Sequence, residues 1–120
     1  MSADEKKRDD RRRETRLDIE LWVAEVAGDD VVYRRTGNVS ASGVYFQQAI
    51  PHEVGSELKL KLPLLELDPP AMVIATGKVV RPSAEEDGLG MGVEFVEFEG
   101  EGESHLRRYL DSIAQAKSPA

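Results

Sequence analysis

Two groups of residues have types and spacing that could do chemistry. The first is Arg12-x-x-x-Arg16, within Arg12-Arg13-Glu14-Thr15-Arg16, with Arg11 immediately before it. The second is Asn38-Val39-Ser40-Ala41-Ser42-Gly43. A guanidinium is a planar, permanently charged fork of donors that meets anions bidentately and stacks on flat π-systems. An Asn side chain offers a carbonyl and an amide, and a Ser hydroxyl donates or accepts. Gly lets the backbone turn and approach a neighbour without a Cβ. Such a set is suited to binding. Each signal is weak alone. Five arginines fall within the nine residues from Arg8 to Arg16, so an RxxxR is almost unavoidable there. Asn, Ser and Gly are ordinary turn formers.

Parts for catalysis are missing. No P-loop occurs, and no GxGxxG opens a helix after a strand. Gly88-Leu89-Gly90-Met91-Gly92 is glycine-dense but sits inside a strand pattern, as a turn followed by close backbone packing. The chain has no cysteine, which excludes structural disulfides, thiolate metal sites and a cysteine nucleophile. Its two imidazoles, His52 and His105, have no recognisable metal or acid/base spacing. Glu85-Glu86-Asp87 and Glu97 to Glu103 read as solvated turns. The expectation is a non-enzyme with no cofactor and no metal.

The elements that must position these residues follow from hydropathy and charge. A chain of 120 residues is one domain at the usual size of roughly 100–150 residues. Residues 1–16 carry seven basic and five acidic side chains, residues 17–120 nine and eighteen. A flexible arginine-rich arm (1–16) therefore precedes an acidic body, which disfavours DNA or RNA because non-specific binding needs a basic surface. An anionic partner must be small and meet the arm locally. Apolar runs are far shorter than the roughly 20 residues that span a bilayer, and the charged start shows no signal peptide, so the location expected is cytoplasmic, without membrane insertion. From Leu17 the pattern has period two: Leu17, Ile19, Leu21 and Val23 alternate with Asp18, Glu20, Trp22 and Ala24. Return strands are predicted over Val31–Val39, Val44–Phe46, a stretch around Leu58, Leu60 and Leu62, Met72–Val80 with Gly77 as a bulge, and a stretch around Met91, Val93 and Phe95. Trp22, on the polar side of strand one, is expected to pack under the helix, with an exposed partner contact as the alternative, and at least one of Tyr45 and Phe46 should be core. Leu106, Tyr109, Leu110 and Ile113 fall at i, i+3, i+4 and i+7 of an amphipathic helix, with Glu101 and Glu103 near its start, Lys117 beyond its end and Pro119 stopping the chain. The fold class is all-β with a C-terminal helix: a six-stranded antiparallel barrel (17–98), then helix and tail (99–120), in one domain.

The two motifs meet in this plan. Arg16 directly precedes strand one, and Asn38 ends its hairpin partner, so both fall at the same end of one hairpin. The arm can fold back over the Asn-Ser-Gly turn. In this combination the sequence resembles the PilZ domain family, bacterial receptors for cyclic di-GMP, whose pattern is an RxxxR in an N-terminal arm followed after about twenty residues by [D/N]xSxxG on a barrel. Gly90-Met91-Gly92-Val93-Glu94-Phe95 and the helix after it also resemble the family's closing strand and helix. The likeness runs from about Arg8 to Ala116.

The resemblance implies a cyclic di-GMP ligand, with Arg12 and Arg16 on guanine and phosphate and Asn38, Ser40 and Gly43 holding a guanine on the barrel. Arg11 occupies the position that, in the family, influences whether one ligand or a stacked pair binds. An arginine fork matches guanine O6 and N7, and lysine in its place would lose both the fork and the stacking. Arg81, at the end of the fifth strand, reads as a solvated strand end that could reach a phosphate. The resemblance also implies an arm that wraps the barrel on binding and signals to a separate protein partner, with motility, adhesion or polysaccharide secretion (biofilm) as typical outputs. The competing readings are a PilZ-like protein-interaction module that binds no nucleotide, and a small nucleic-acid-binding barrel, which the acidic body opposes. Oligomeric state is open.

Overall fold

The computed structural model describes residues 16–81 and 88–117. Arg11, Arg12, the carboxylates of the arm, the Glu85-Glu86-Asp87 turn and Pro119 lie outside them. Six strands, β1 (Trp22–Ala27), β2 (Asp30–Val39), β3 (Gly43–Phe46), β4 (Glu57–Leu64), β5 (Ala71–Arg81) and β6 (Met91–Phe98), precede one helix, α1 (Gly102–Lys117). They close as an antiparallel barrel in the order β1-β2-β3-β6-β5-β4, with β1 returning to β4. Closure leaves no sheet edge to protect.

Alternation explains the core. Leu58, Leu60, Leu62 and Leu64 on β4, Val73, Ala75 and Val79 on β5, and Met91, Val93 and Phe95 on β6 point inward and are buried. Of the pair on β3, Phe46 is the core residue. The helix buries Leu106, Tyr109 and Leu110, with Ile113 packed against the same cluster, as its period requires. Lys117 is the last helical residue rather than one beyond the end. Tyr109 donates its hydroxyl to Glu66, tying α1 to the β4–β5 connection. Burial first, and then the Glu66 carboxylate, push its pKa from the usual 10.0 to about 12.

Strand one differs from the expectation. Its ladder begins at Trp22, while residues 17–21 run alongside β2 through one isolated bridge, Leu17 to Val39. A side chain explains the gap. Thr36 is fully buried, donates its hydroxyl to the Ile19 carbonyl (2.5 Å) and accepts the Leu21 N–H (2.9 Å). Its backbone N–H also donates to the Leu21 carbonyl at 3.0 Å. One threonine thus replaces the ladder that residues 19–21 would otherwise form with β2.

Trp22 is corrected as well. It does not pack under the helix: it is 57% exposed, with the Arg35 guanidinium 6.0 Å from its ring centroid. The inward face of β1 instead carries a charge. Glu25 is buried, accepts from Arg34 Nε at 2.7 Å, and lies 2.9 Å from His52 Nε2. A buried carboxylate needs such partners, because an unpaired one costs several kcal/mol, about 3–5 when one partner is removed.

Candidate functional site

The Leu17–Val39 bridge sets the site. Leu17 N–H donates to Val39 O at 3.0 Å and Val39 N–H to Leu17 O at 2.9 Å. This reciprocal pair of hydrogen bonds ties the end of the arm to the last residue of β2. Arg16 is thereby carried beside Asn38, as expected for the same end of one hairpin, although through a bridge rather than a continuous strand.

Two β-bulges aim the side chains. Thr36 pairs with Phe46 and Asn38 with Tyr45, so Gly37 is an extra residue in β2. Thr36 and Val39 both point into the barrel. Strict alternation from Thr36 would send Asn38 inward; the extra residue turns it outward. On the far side, Val79 pairs with Val93 and Arg81 with Gly92, so Val80 is extra in β5. That bulge turns Arg81 outward in the same way. Asn38, Tyr45, Gly92 and Arg81 then form one row across β2, β3, β6 and β5 on the outer face.

A pocket of ≈ 280 Å³ lies at this row, lined by Arg16, Asn38, Ser40, Ser42, Gly43, Val44, Val80, Arg81, Val93 and Glu94. The structure thus gathers four of the six candidate residues, Arg16, Asn38, Ser40 and Gly43. Arg11 and Arg12 belong to the residues outside the description. Two guanidinium groups, Arg16 and Arg81, concentrate positive charge on an otherwise acidic body, with the Glu94 carboxylate between β3 and β5.

Local hydrogen bonds assign the small residues. Ser40 N–H donates to Gly43 O at 2.9 Å, closing a tight turn. Ser40 is buried; its hydroxyl lies 3.2 Å from the Ser42 hydroxyl and 3.4 Å from Gly43 O, and accepts the Ser42 N–H at 3.3 Å. In this state the Ser40 hydroxyl shapes the turn, and Ser42 is a second hydroxyl on the pocket wall. Gly43 is required for a reason nearer than any ligand: a Cβ there would collide with the Val93 carbonyl oxygen across the β3–β6 ladder. Gly92 makes room differently. A Cβ there would stand 3.2 Å from Arg81 Nε and 3.4 Å from Arg81 Cβ, so the arginine lies across a surface kept flat by glycine.

Sequence reasoning missed Ser42 and Glu94 and discounted Arg81. The signal for Arg81 was faint. Adjacent Val79 and Val80 break the inward alternation of β5, and only the pairing with β6 shows that the break is a bulge.

Comparison with known proteins decides the family. The PilZ domain model matches residues 10–112. The chain belongs to the PilZ domain family. This PilZ domain is similar in structure to the Bacillus subtilis inhibitor of motility MotI/DgrA, with a TM-score of 0.75 at 20% sequence identity. The alignment covers 89% of this chain and 53% of that one, so the chain spans about half the length of that protein, and the likeness is one of fold. No curated protein matches the sequence. The matched family is not a catalytic one. Among the described residues no cluster of His, Cys, Asp or Glu could hold a metal ion, and no helix is long and apolar enough to cross a membrane.

Proposed function

We propose that this PilZ domain is a cyclic di-GMP receptor that passes ligand occupancy to a protein partner. The observation that carries the reading is the gathering of Arg16, Asn38, Ser42 and Arg81 around one pocket on an acidic body. Guanine presents O6 and N7 to an arginine fork, and phosphates take charge-assisted hydrogen bonds worth roughly 1.5–3 kcal/mol each. Asn38 supplies donor and acceptor for a guanine edge, Gly43 belongs to the turn beneath it, and Arg81, which lines the same pocket as Arg16, serves as a phosphate or guanine contact. Glu94 suits the N1–H and N2–H₂ donors of guanine rather than a phosphate.

The pocket sits just below the roughly 300–1,000 Å³ usual for small-molecule sites. It takes part of a dinucleotide, and the rest is left to Arg12, the first arginine of the RxxxR pattern, and to Arg11 immediately before it. In this reading residues 1–16 form an arm that folds over the bound ligand, and its ordering alters the surface a partner meets. Beside Arg12 and Arg16, Arg11 is a third arginine at the motif, which favours a stacked ligand pair. The protein is cytoplasmic in this proposal and catalyses no reaction. A motility output follows the name of its structural neighbour.

Calorimetric titration of cyclic di-GMP into the wild type and Arg16→Ala tests the reading, with GTP and cyclic GMP as controls. Saturable, selective binding that Arg16→Ala weakens at least about tenfold supports a receptor, a factor equal to roughly 1.4 kcal/mol. Absence of heat at high micromolar ligand would leave a PilZ barrel used as a protein-interaction module without nucleotide.

A further inference from the structure

The outer face of β1 and β2 carries a second built surface, separate from the pocket. Register places Trp22 beside Arg35, and Tyr33 beside Ala24 and then Lys61 of β4. Trp22 is 57% and Tyr33 67% exposed, and Val31 next along the face is also exposed. Trp22, Tyr33 and Arg35 line a pocket of ≈ 310 Å³ together with Gln47 and Gln48 of the loop after β3. Isolated exposed apolar residues are ordinary, but two aromatics and an arginine around one concavity are the residue types that dominate protein interfaces.

Charge selects the occupant. Arg34 is committed to buried Glu25, whereas the ion pair of Arg35 among the described residues is a loose one, to Glu20 at 3.9 Å, with both side chains in solvent. Lys61 extends the cationic border. A second copy docked face to face would bring Arg35 and Lys61 against their own counterparts. Residues 1–16 of the chain are net basic and suit this border no better. A formal charge of −7 opposes an anionic bilayer. What remains is an acidic segment bearing an aromatic side chain to lie against Trp22 and Tyr33.

We propose that the Trp22–Tyr33–Arg35 face docks an acidic, aromatic-bearing segment of a partner protein. The occupant lays a ring against Trp22 and Tyr33 and a carboxylate on the Arg35 fork. β2 carries this face at its middle and Asn38 near its end, so both surfaces share one strand. The proposal is independent of nucleotide binding.

Trp22 is the only tryptophan in the chain, so its fluorescence reports on this face alone. The full chain is titrated with a random glutamate–tyrosine copolymer, with polyglutamate and phosphatidylglycerol/phosphatidylcholine vesicles in parallel. Sedimentation velocity follows self-association. The expected result is a saturable change in Trp22 emission with the copolymer, weaker with polyglutamate. Tyr33→Ser and Arg35→Glu should each raise the half-saturation concentration about tenfold or more. Both side chains are exposed, so unchanged melting curves confirm that the variants fold. An inert copolymer, equal binding by the variants, or a response confined to vesicles or to self-association would each overturn the proposal.

Discussion

Two glycines in the outer wall of the barrel should respond oppositely to the same methyl group. In Gly43→Ala the new Cβ meets the carbonyl oxygen of Val93 and lies 3.3 Å from Glu94 Cα. These are backbone atoms of the paired strand. They cannot move without opening the β3–β6 ladder, where Gly43 pairs with Glu94 and Val44 with Val93. Overpacking of this kind costs about 1–3 kcal/mol. For a domain near this size each kcal/mol lowers the melting temperature by roughly 4–8 °C, so Gly43→Ala should melt about 5–20 °C below wild type. In Gly92→Ala the neighbours are side-chain atoms of Arg81, which can swing away. Removing a glycine from a strand interior also recovers part of the roughly 0.5–1 kcal/mol that glycine costs there. Gly92→Ala should therefore keep or slightly raise the melting temperature while displacing Arg81 from the pocket, lowering cyclic di-GMP affinity with the fold intact. Thermal denaturation followed by circular dichroism and a ligand titration on the same samples provide the assay. A Gly43→Ala protein that melts with wild type would refute the steric reasoning, as would a Gly92→Ala protein that loses the fold.

Three further outcomes follow from the packing. Thr36→Val removes the hydroxyl that serves Ile19 O and Leu21 N–H; it should cost about 1–3 kcal/mol in urea denaturation and speed hydrogen exchange at the Leu21 amide, because buried groups are left unpaired. Arg34→Ala leaves the buried Glu25 carboxylate with His52 alone; about 3 kcal/mol of stability should be lost, and Glu25→Gln in that background should recover part of it. Tyr109 should stay neutral in the folded state until pH is about 12, against 10.0 when unfolded. The folded state holds its proton more tightly, so this contribution is complete below about pH 10 and is lost as pH rises towards about 12. Absorbance of tyrosinate near 295 nm should show a late step that Tyr109→Phe removes.

Most of the fold was legible because the barrel obeys period two. The inward sets on β4, β5 and β6 can be read from Leu58-Leu60-Leu62, Val73-Ala75 and Met91-Val93-Phe95, and α1 from Leu106, Tyr109, Leu110 and Ile113 at i, i+3, i+4 and i+7. The start of strand one was not legible. Residues 17–21 alternate like a strand, yet a buried threonine on the neighbouring strand takes their hydrogen bonds, and no local pattern announces that. Trp22 had the right side of the alternation but the wrong surroundings, since helix placement depends on tertiary packing. The pairing of arm and turn was legible in outline: Arg16 and Asn38 follow from hairpin geometry. The contribution of Arg81 was hidden, because the bulge at Val80 is a property of two strands in register, and one strand read alone gives only a solvated end. The need for Gly43 was legible as a motif position, while its nearest physical cause, the Val93 carbonyl, lies fifty residues away along the chain.

The measurement that bears most directly on the central claim is the pattern of amide chemical-shift changes when cyclic di-GMP is added to the isotope-labelled protein. The account predicts saturable changes concentrated at Asn38, Ser40, Ser42, Gly43, Gly92 and Arg81, with a shift of the Arg16 side chain and none at the Trp22 indole. Changes centred on the Trp22 face, or a spectrum indifferent to the ligand, would contradict it.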